Sequence, residues 1–169
     1  MKIKVGSGFD AHKFEKGRRL ILGGVTIEYE LGLAGHSDAD VLLHAVTDAI
    51  AGASLGTDIG GLFPDTDEKF KDIDSRLLLR EAVKQAALKG WRVGNVDATI
   101  IAQKPKLSPY RYDMIRNIAE DCLLDEEDVT VKATTTEKMG FTGRGEGIAS
   151  TAVVLMYKTE GKNTYMEET

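Results

Sequence analysis

The 169-residue sequence contains one cysteine, three prolines and three histidines, and it has no long apolar run. No segment approaches the roughly 18 consecutive apolar residues that a bilayer-spanning helix needs, so the sequence predicts no membrane span. A single cysteine excludes a disulfide framework, and Cys122 lies among helical apolar positions. We interpret it as a buried hydrophobic side chain, which suits a protein of a reducing compartment.

The sequence also lacks the net positive charge that nucleic acids attract. Its formal net charge is −5 and its pI is near 5.3, which argues against nonspecific binding to a phosphate backbone. The N-terminus enters a strand-like segment without a signal or transit peptide before it. We therefore expect a cytoplasmic chain without nucleic-acid or membrane partners, or a mature chain from which a plastid transit peptide was removed.

Hydrophobic periodicity predicts one α/β (α+β) domain over residues 1–158, followed by a polar, flexible tail over residues 159–169. The first predicted helix covers residues 39–55, with Ser37 or Asp38 as cap and Gly56 as stop. A second is predicted with Ser75 as cap and Lys89 and Gly90 at its end, and a third from Ser108 to Cys122. Strands are predicted at residues 2–5, 20–22, 25–27, 96–102, 129–133 and 149–157. These elements form a mixed sheet of four or five strands with helices on one face. Strand 149–157 lacks polar alternation, so we expect burial on both faces and a partner on the other face of the sheet.

Asp10 and His12 are one residue apart, so in an extended segment both side chains leave the same face of the strand. His44 lies on the first predicted helix, with Asp40 and Asp48 four residues to either side, where one of them would orient its imidazole. An Asp-His-His set suits Zn²⁺ and leaves the fourth tetrahedral position open for water or substrate. The sequence therefore predicts a catalytic zinc site at Asp10, His12 and His44.

Three segments are typical of phosphate contacts. Lys104-Pro105-Lys106-Leu107-Ser108 precedes a helix whose N-terminal amides favour anions. The segment 132–138 offers hydroxyls, lysines and Glu137, a carboxylate suited to Mg²⁺ or Mn²⁺. The glycine-rich segment 140–147 places Arg144 as an anion ligand. Neither a GxxxxGK[ST] loop nor a GxGxxG motif is present, which disfavours the common NTPase and dinucleotide classes.

Four long motifs together resemble one family: GSGFDAH at 6–12, GHSDADVLLHAVTDA at 35–49, DIGGLFPDTD at 58–67 and KATTTEKMGFTGRGEG at 132–147. This family is 2-C-methyl-D-erythritol 2,4-cyclodiphosphate synthase, and the resemblance covers about residues 2–157. It implies a metal-dependent lyase of the non-mevalonate (MEP) pathway of isoprenoid biosynthesis. Its substrate is 4-diphosphocytidyl-2-C-methyl-D-erythritol 2-phosphate, whose 2-phosphate attacks the β-phosphate while CMP leaves.

The resemblance also implies site residues and an assembly. The implied zinc ligands are Asp10, His12 and His44. Glu137 is implied to bind the second cation, and His36 and Thr135 to stabilise the transition state. A homotrimer is implied, with its sheets packed together and its active sites between subunits. The implied substrate contacts are Asp10, His12, His36, Ser37, Asp58, Ile59, Gly60, Phe63, Asp65, Asp67, Ala102, Lys104, Pro105, Lys106, Leu107, Ser108, Ala133, Thr134, Thr135, Thr136, Glu137, Phe141 and Arg144.

Two other functions stay open at this point. A zinc phosphohydrolase acting on nucleotides would use the same open metal position to activate water. A trimeric binding module would instead hold an isoprenoid diphosphate in a central cavity, through Arg144 and Glu146. Product analysis distinguishes the synthase from the phosphohydrolase. A binding module would keep its affinity for the ligand without the metal site.

Overall fold

A computed structural model describes residues 1–64 and 66–158. Its strands are β1 (Lys2–Lys16), β2 (Leu20–Leu22), β3 (Val25–Ile27), β4 (Leu31–Leu33), β5 (Arg92–Ile101), β6 (Val129–Thr134) and β7 (Gly147–Lys158). Five of them form one sheet in the order β4-β1-β7-β5-β6, and β2 and β3 form a separate hairpin. The predicted tail, residues 159–169, lies outside the described residues, as does Asp65.

The helices are α1 (Val41–Ile50), α2 (Ile59–Leu62), α3 (Ser75–Leu88), α4 (Arg111–Cys122) and α5 (Gly140–Gly143). A π-helical segment, Ala51–Leu55, continues α1 to Gly56, whose φ of 73° ends the helix as the sequence predicts. Short 3₁₀ turns cover Glu68–Phe70, Ser108–Tyr110 and Glu126–Asp128. No helix within the described ranges is long and apolar enough to cross a membrane.

Strand direction brings three strand ends to one edge of the sheet. β7 pairs antiparallel with both β1 and β5, and β5 pairs parallel with β6. β1, β5 and β6 therefore run in the same direction. Residue Ala149 of β7 is opposite Ala11 on one side and Ile101 on the other, so the part of β1 around Ala11 is level with the end of β5. Asp10 and His12 of β1 therefore lie at the same edge of the sheet as the segments that leave β5 and β6.

The hydrophobic core lies between the sheet and the helices on one of its faces. Its largest fully buried side chains come from both layers, including Leu42, Ile50, Leu79, Ile118, Ile100 and Met156. Side chains that alternate with the buried ones point to the other face, where Ile3, Val5, Phe9 and Val153 are 51%, 67%, 60% and 48% exposed. The predicted single α+β domain, with a mixed sheet and helices on one face, is confirmed.

Within one chain, β7 is buried on one face only, and the predicted burial of its second face depends on a partner. Ala152, Val154 and Met156 are buried under the helices, whereas Val153 is half exposed on the opposite face. The loss of polar alternation reflects apolar side chains on both faces, and one chain covers only one of them. Packing of these faces in a homotrimer remains a prediction.

The helix starts also differ from the predicted ones. Asp40, and not Ser37 or Asp38, caps α1, because its carboxylate accepts the Leu43 N–H at 3.1 Å. Asp74 caps α3 by accepting the Arg76 N–H, which makes Ser75 the first helical residue. Ser108 begins a 3₁₀ turn, and the α-helix proper starts at Arg111. Periodicity was enough to predict that these helices exist. Their capping residues depend on side-chain contacts, which periodicity does not show.

Candidate metal centre and active site

Two glycines on the buried face of β1 let α1 lie directly against the strand. A Cβ on Gly6 would lie 2.0 Å from the carbonyl oxygen of Ala49, and one on Gly8 would lie 2.0 Å from that of Ala45. Only glycine permits this separation of strand and helix backbones. Since α1 runs opposite to β1, the next inward-facing residue of the strand, Asp10, lies beside the preceding turn of the helix, where His44 is found.

Asp10, His12 and His44 converge, as the sequence predicts. Asp10 Oδ2 lies 2.9 Å from His12 Nε2 and 2.9 Å from His44 Nδ1, and the two nitrogens are 3.3 Å apart. Ligand atoms about 2.0–2.1 Å from a tetrahedral ion are separated by roughly 3.3 Å. The donor set and its spacing therefore fit one Zn²⁺-sized ion, and the residues form a candidate metal site.

Charge and hydrogen bonding prepare these groups as ligands. Burial alone would raise the pKa of Asp10, but hydrogen bonds and charge from His12 and His44 outweigh it and hold the pKa well below its usual range. His12 donates its Nδ1–H to the carbonyl oxygen of Ala34 at 2.6 Å, which directs Nε2 toward Asp10. A metal ligand commonly has its second ring nitrogen fixed in this way.

The prediction that Asp40 or Asp48 orients His44 is wrong. Asp40 accepts the N–H groups of Gly23, at 2.9 Å, and Gly24, at 2.7 Å, in addition to its capping bond. Asp48 accepts the Ile59 N–H at 3.0 Å. Both carboxylates are thus engaged by backbone donors of neighbouring segments, and the second nitrogen of His44 faces two serine hydroxyls instead.

A cavity of about 520 Å³ opens beside the triad, a size that suits a small-molecule ligand. The predicted site residues that line it are Asp10, His12, His36, Ser37, His44, Asp58, Ile59, Gly60 and Phe63. Phe9, Gly35, Asp48, Phe70 and Leu78 also line it, and none of them was predicted to contact a ligand. Phe70 packs edge-on against Phe63 with ring centroids 5.3 Å apart, and no motif marked this contact. His36 Nε2 is buried and has no hydrogen-bond partner among the described residues.

Most of the other predicted site residues that the structure describes lie away from this cavity. They form a second group where β5 and β6 end: Ala102 donates its N–H to the Thr134 carbonyl oxygen, and Lys138 donates its N–H to Gln103 Oε1. Thr135 Oγ1 donates to Glu137 Oε1 at 3.0 Å. This second group comprises Ala102, Lys104, Pro105, Lys106, Leu107, Ser108, Ala133, Thr134, Thr135, Thr136 and Glu137.

The backbone of the second group is strained at the predicted cation ligand. Glu137 and Lys138 have φ values of 52° and 65°, a region that costs non-glycine residues energy and is often used at functional sites. The group shares the sheet edge with the triad, but β7 lies between β1 and β5. With strands about 4.8 Å apart, the two groups start roughly 10 Å from each other in one chain.

The remaining predicted contacts are peripheral in the single chain. Phe141 lies on α5 and is partly exposed, and Arg144 donates to Glu146 Oε1 at 2.5 Å on the surface. Asp67 caps the 3₁₀ turn at Glu68 and pairs with Lys69 Nζ at 2.7 Å. None of these residues lines the cavity beside the triad.

Known proteins resemble this chain over nearly its whole length. A model of the YgbB family matches residues 3–157. A 2-C-methyl-D-erythritol 2,4-cyclodiphosphate synthase of Erwinia tasmaniensis is 61% identical over 156 residues, which are 92% of this chain and 99% of that protein. The synthase of Geobacter metallireducens is 58% identical over 154 residues, covering 91% and 98%.

Solved structures give the same result. IspF of Plasmodium falciparum in a CDP complex is 37% identical, with a TM-score of 0.80 over 94% of this chain and 97% of that one. The bifunctional IspDF of Campylobacter jejuni is 47% identical with a TM-score of 0.89. That match covers 94% of this chain but 43% of the longer, bifunctional one.

Proposed function

The chain belongs to the YgbB family, and from this premise we propose that it is a 2-C-methyl-D-erythritol 2,4-cyclodiphosphate synthase. It converts 4-diphosphocytidyl-2-C-methyl-D-erythritol 2-phosphate to the 2,4-cyclodiphosphate and CMP. An oxygen of the 2-phosphate bonds to the β-phosphorus, the bond from that phosphorus to the bridging oxygen breaks, and the bridging oxygen leaves with CMP. The observation that carries the proposal is the Asp-His-His triad beside an open cavity, in a chain 61% identical to a named synthase.

Asp10, His12 and His44 would hold Zn²⁺, and Glu137 would hold Mg²⁺ or Mn²⁺. Bound cations supply Lewis-acid stabilisation of the charge that develops on the phosphate oxygens. The nucleophile is part of the substrate, so the protein needs none of its own. Its task is to fold the substrate into the attack geometry, which can contribute roughly 7–11 kcal/mol to lowering the barrier.

Several residues of the chain would bind and orient the substrate. His36 lines the cavity with Nε2 buried and without a protein partner among the described residues, which favours a hydrogen bond to a phosphate oxygen. Thr135 would donate a hydrogen bond from its hydroxyl to an oxygen of the same phosphate. Asp58 and Gly60 lie at the mouth of the cavity, where they suit ribose hydroxyls. Lys104 and Lys106, both exposed, suit the anionic groups of the substrate.

A second copy of the chain completes the site in this proposal. The triad with its cavity and the second group around Glu137 lie apart in one chain, and a homotrimer would place the second group of one subunit at the cavity of the next. The exposed apolar face formed by Ile3, Val5, Phe9 and Val153 supports such packing, because exposed apolar patches of this kind mark interaction surfaces. A cavity enclosed by these faces, near Arg144 and Glu146, would accept an isoprenoid diphosphate.

The test is product analysis in ¹⁸O-labelled water. Metal-replete protein is incubated with the diphosphocytidyl substrate, and phosphorus NMR follows the products. We expect cyclic diphosphate and CMP in equal amounts without ¹⁸O, and a chelator should stop both. Incorporation of ¹⁸O into a phosphomonoester would establish a phosphohydrolase, and persistence of the substrate with metal bound would favour a binding module.

His44→Ala is the matched inactive variant. It should lose metal binding and turnover while keeping the circular dichroism spectrum of the fold, since the triad lies at the rim of a core built from other side chains. Loss of the fold together with the metal would contradict a purely catalytic site.

A further inference from the structure

His44 makes contacts at both of its ring nitrogens. Nδ1 faces the other two members of the triad, 2.9 Å from Asp10 Oδ2 and 3.3 Å from His12 Nε2. Nε2 faces away, 2.9 Å from Ser75 Oγ and 3.1 Å from Ser37 Oγ. A neutral imidazole carries one proton, and a nitrogen that binds a cation must present its lone pair. For Nδ1 to be the ligand atom, the proton has to stay on Nε2.

Ser75 can keep it there because the direction of its own hydrogen bond is fixed. Its Oγ lies 2.5 Å from Asp38 Oδ1, and an ionised carboxylate only accepts hydrogen bonds. The hydroxyl proton of Ser75 therefore points to Asp38, and a lone pair of Oγ points to His44. A proton on Nε2 is stabilised by this arrangement once an ion occupies Nδ1. Without an ion, Asp10 Oδ2 lies 2.9 Å from Nδ1 and competes for the proton, and a proton on Nδ1 leaves Nε2 and Ser75 Oγ facing each other as two acceptors. Ser75 is fully buried, so water does not compete for the contact.

The carboxylate of Asp38 is itself held in place by backbone donors. Its Oδ2 accepts the Ser75 N–H at 3.1 Å, and its Oδ1 accepts the Asp40 N–H at 3.2 Å. In return, Asp38 donates its own N–H to the Ile73 carbonyl oxygen at 3.1 Å. These bonds join the segment before α1 to the first turn of α3. Asp38 and Ser75 are thus rigid relative to the helix that carries His44.

We infer that Ser75 and Asp38 are positioning residues of the metal site, which fix the proton of His44 on Nε2 and so present Nδ1 to the ion. The inference rests on the proposed function only in taking the triad as a metal site. Neither residue is among those that line the cavity or form the triad, and both act through His44. A carboxylate that reaches a histidine ligand through a serine serves the role that outer hydrogen-bond partners of metal ligands commonly serve.

Two variants test this network without substrate. Ser75→Ala removes the hydroxyl, and Asp38→Asn keeps the shape but adds a donor that lets the Ser75 hydroxyl turn toward His44. We expect both to weaken Zn²⁺ binding about 10- to 100-fold in a competition titration with a chromophoric chelator. Ser75→Thr keeps the hydroxyl and should retain affinity close to wild type. Ser54→Ala is the matched control, because Ser54 is a buried serine whose hydroxyl donates to Ile50, outside the site.

The second measurement follows the Nε2 proton of His44 in the zinc-loaded protein. In the metal-free protein Asp10 Oδ2 competes for the proton at Nδ1, so only the loaded site isolates the contact with Ser75. The chain has only three histidines, so long-range ¹H–¹⁵N spectra resolve each ring, and His44→Ala identifies the His44 signals by their absence. Wild type and Ser54→Ala should show a His44 Nε2–H signal that exchanges slowly with water. Ser75→Ala and Asp38→Asn should show faster exchange or loss of this signal.

The outcomes separate this inference from the proposed function. Wild-type Zn²⁺ affinity together with wild-type exchange of the His44 Nε2 proton in both variants would overturn the inference, as would absence of Zn²⁺ binding in wild type. If one variant does not fold, as judged by circular dichroism, the other decides. A protein that binds Zn²⁺ with the expected variant effects but forms no cyclic diphosphate would refute the proposed function and leave the inference standing.

Discussion

Replacing Gly8 by alanine should damage both the fold and the metal site. The added Cβ would lie 2.0 Å from the carbonyl oxygen of Ala45, and such contacts essentially never fall below 3.0 Å. The obstacle is backbone and not a flexible side chain, so β1 and α1 must separate by about 1 Å. Forced separation of a packed strand and helix costs about 1–3 kcal/mol in free energy of unfolding.

The same displacement acts on the ligands. Asp10 is the next inward residue of β1 and His44 the preceding residue of α1, so their 2.9 Å separation would lengthen with the elements that carry them. Zinc–ligand distances tolerate only about ±0.2 Å. We therefore expect at least a tenfold loss of Zn²⁺ affinity, which corresponds to about 1.4 kcal/mol.

Urea unfolding of the metal-free protein and zinc competition titration measure the two effects. Gly52→Ala is the control, since a Cβ there would have no neighbour nearer than the Thr57 carbonyl oxygen at 4.0 Å, and it should be neutral or slightly stabilising. If Gly8→Ala matches wild type in both unfolding midpoint and zinc affinity, the close approach of strand and helix does not build the site.

Three further predictions concern other residues. Burial raises the pKa of the Cys122 thiol, so Ellman's reagent should react with it only after denaturation, and rapid reaction of the folded protein would contradict its burial. Glu137→Gln should remove most of the turnover that Mg²⁺ or Mn²⁺ supports while leaving zinc content unchanged, and equal loss of both metals would argue against separate cation sites. Burial raises the pKa of Asp40 from 3.8 to about 6 against backbone N–H groups that lower it. Its stabilising contribution is therefore complete below its ordinary pKa and is lost as pH rises through about 6, roughly 3 kcal/mol in all. Relative to Asp40→Asn, wild type should lose this amount between about pH 4 and about pH 7 in urea unfolding, and parallel pH profiles would contradict it.

Local pattern was enough to predict the triad. Alternation along a strand placed Asp10 and His12 on one face, and helical periodicity placed His44 on a buried stretch. Their convergence depended on Gly6 and Gly8, whose role as spacers appears only when the strand and helix are packed together. The residue types were readable from the sequence, whereas the separation of the two backbones was not.

The contacts that local pattern did not predict are those between residues far apart in the sequence. Ser75 lies 31 residues from His44, and nothing in the spacing of either residue indicated that they meet. Helical spacing instead favoured Asp40 and Asp48, but hydrogen bonds to the hairpin turn at Gly23 and to Ile59 engage those carboxylates. Helical spacing shows which residues are neighbours on a helix surface. It does not show which of them hydrogen-bond to another segment instead.

The division of the predicted site between two parts of the chain also lay beyond local pattern. The triad and Glu137 are far apart in sequence. Only the strand order shows that β7 and β5 lie between β1, which carries Asp10 and His12, and β6, which precedes Glu137. The exposed apolar face of β1 and β7 has the same origin, because an apolar strand has the same sequence whether its second face is covered by its own chain or by another.

The most direct test of a shared active site is activity in mixed oligomers of two inactive variants. His44→Ala lacks the metal group and Glu137→Gln lacks the second group, so each alone should form almost no cyclic diphosphate. Co-expression with two different affinity tags allows isolation of oligomers that contain both. In a cyclic trimer one of the three interfaces then joins two intact groups, so phosphorus NMR should show about one third of the wild-type rate. Mixed oligomers as inactive as their parents would contradict a site completed by a second copy of the chain.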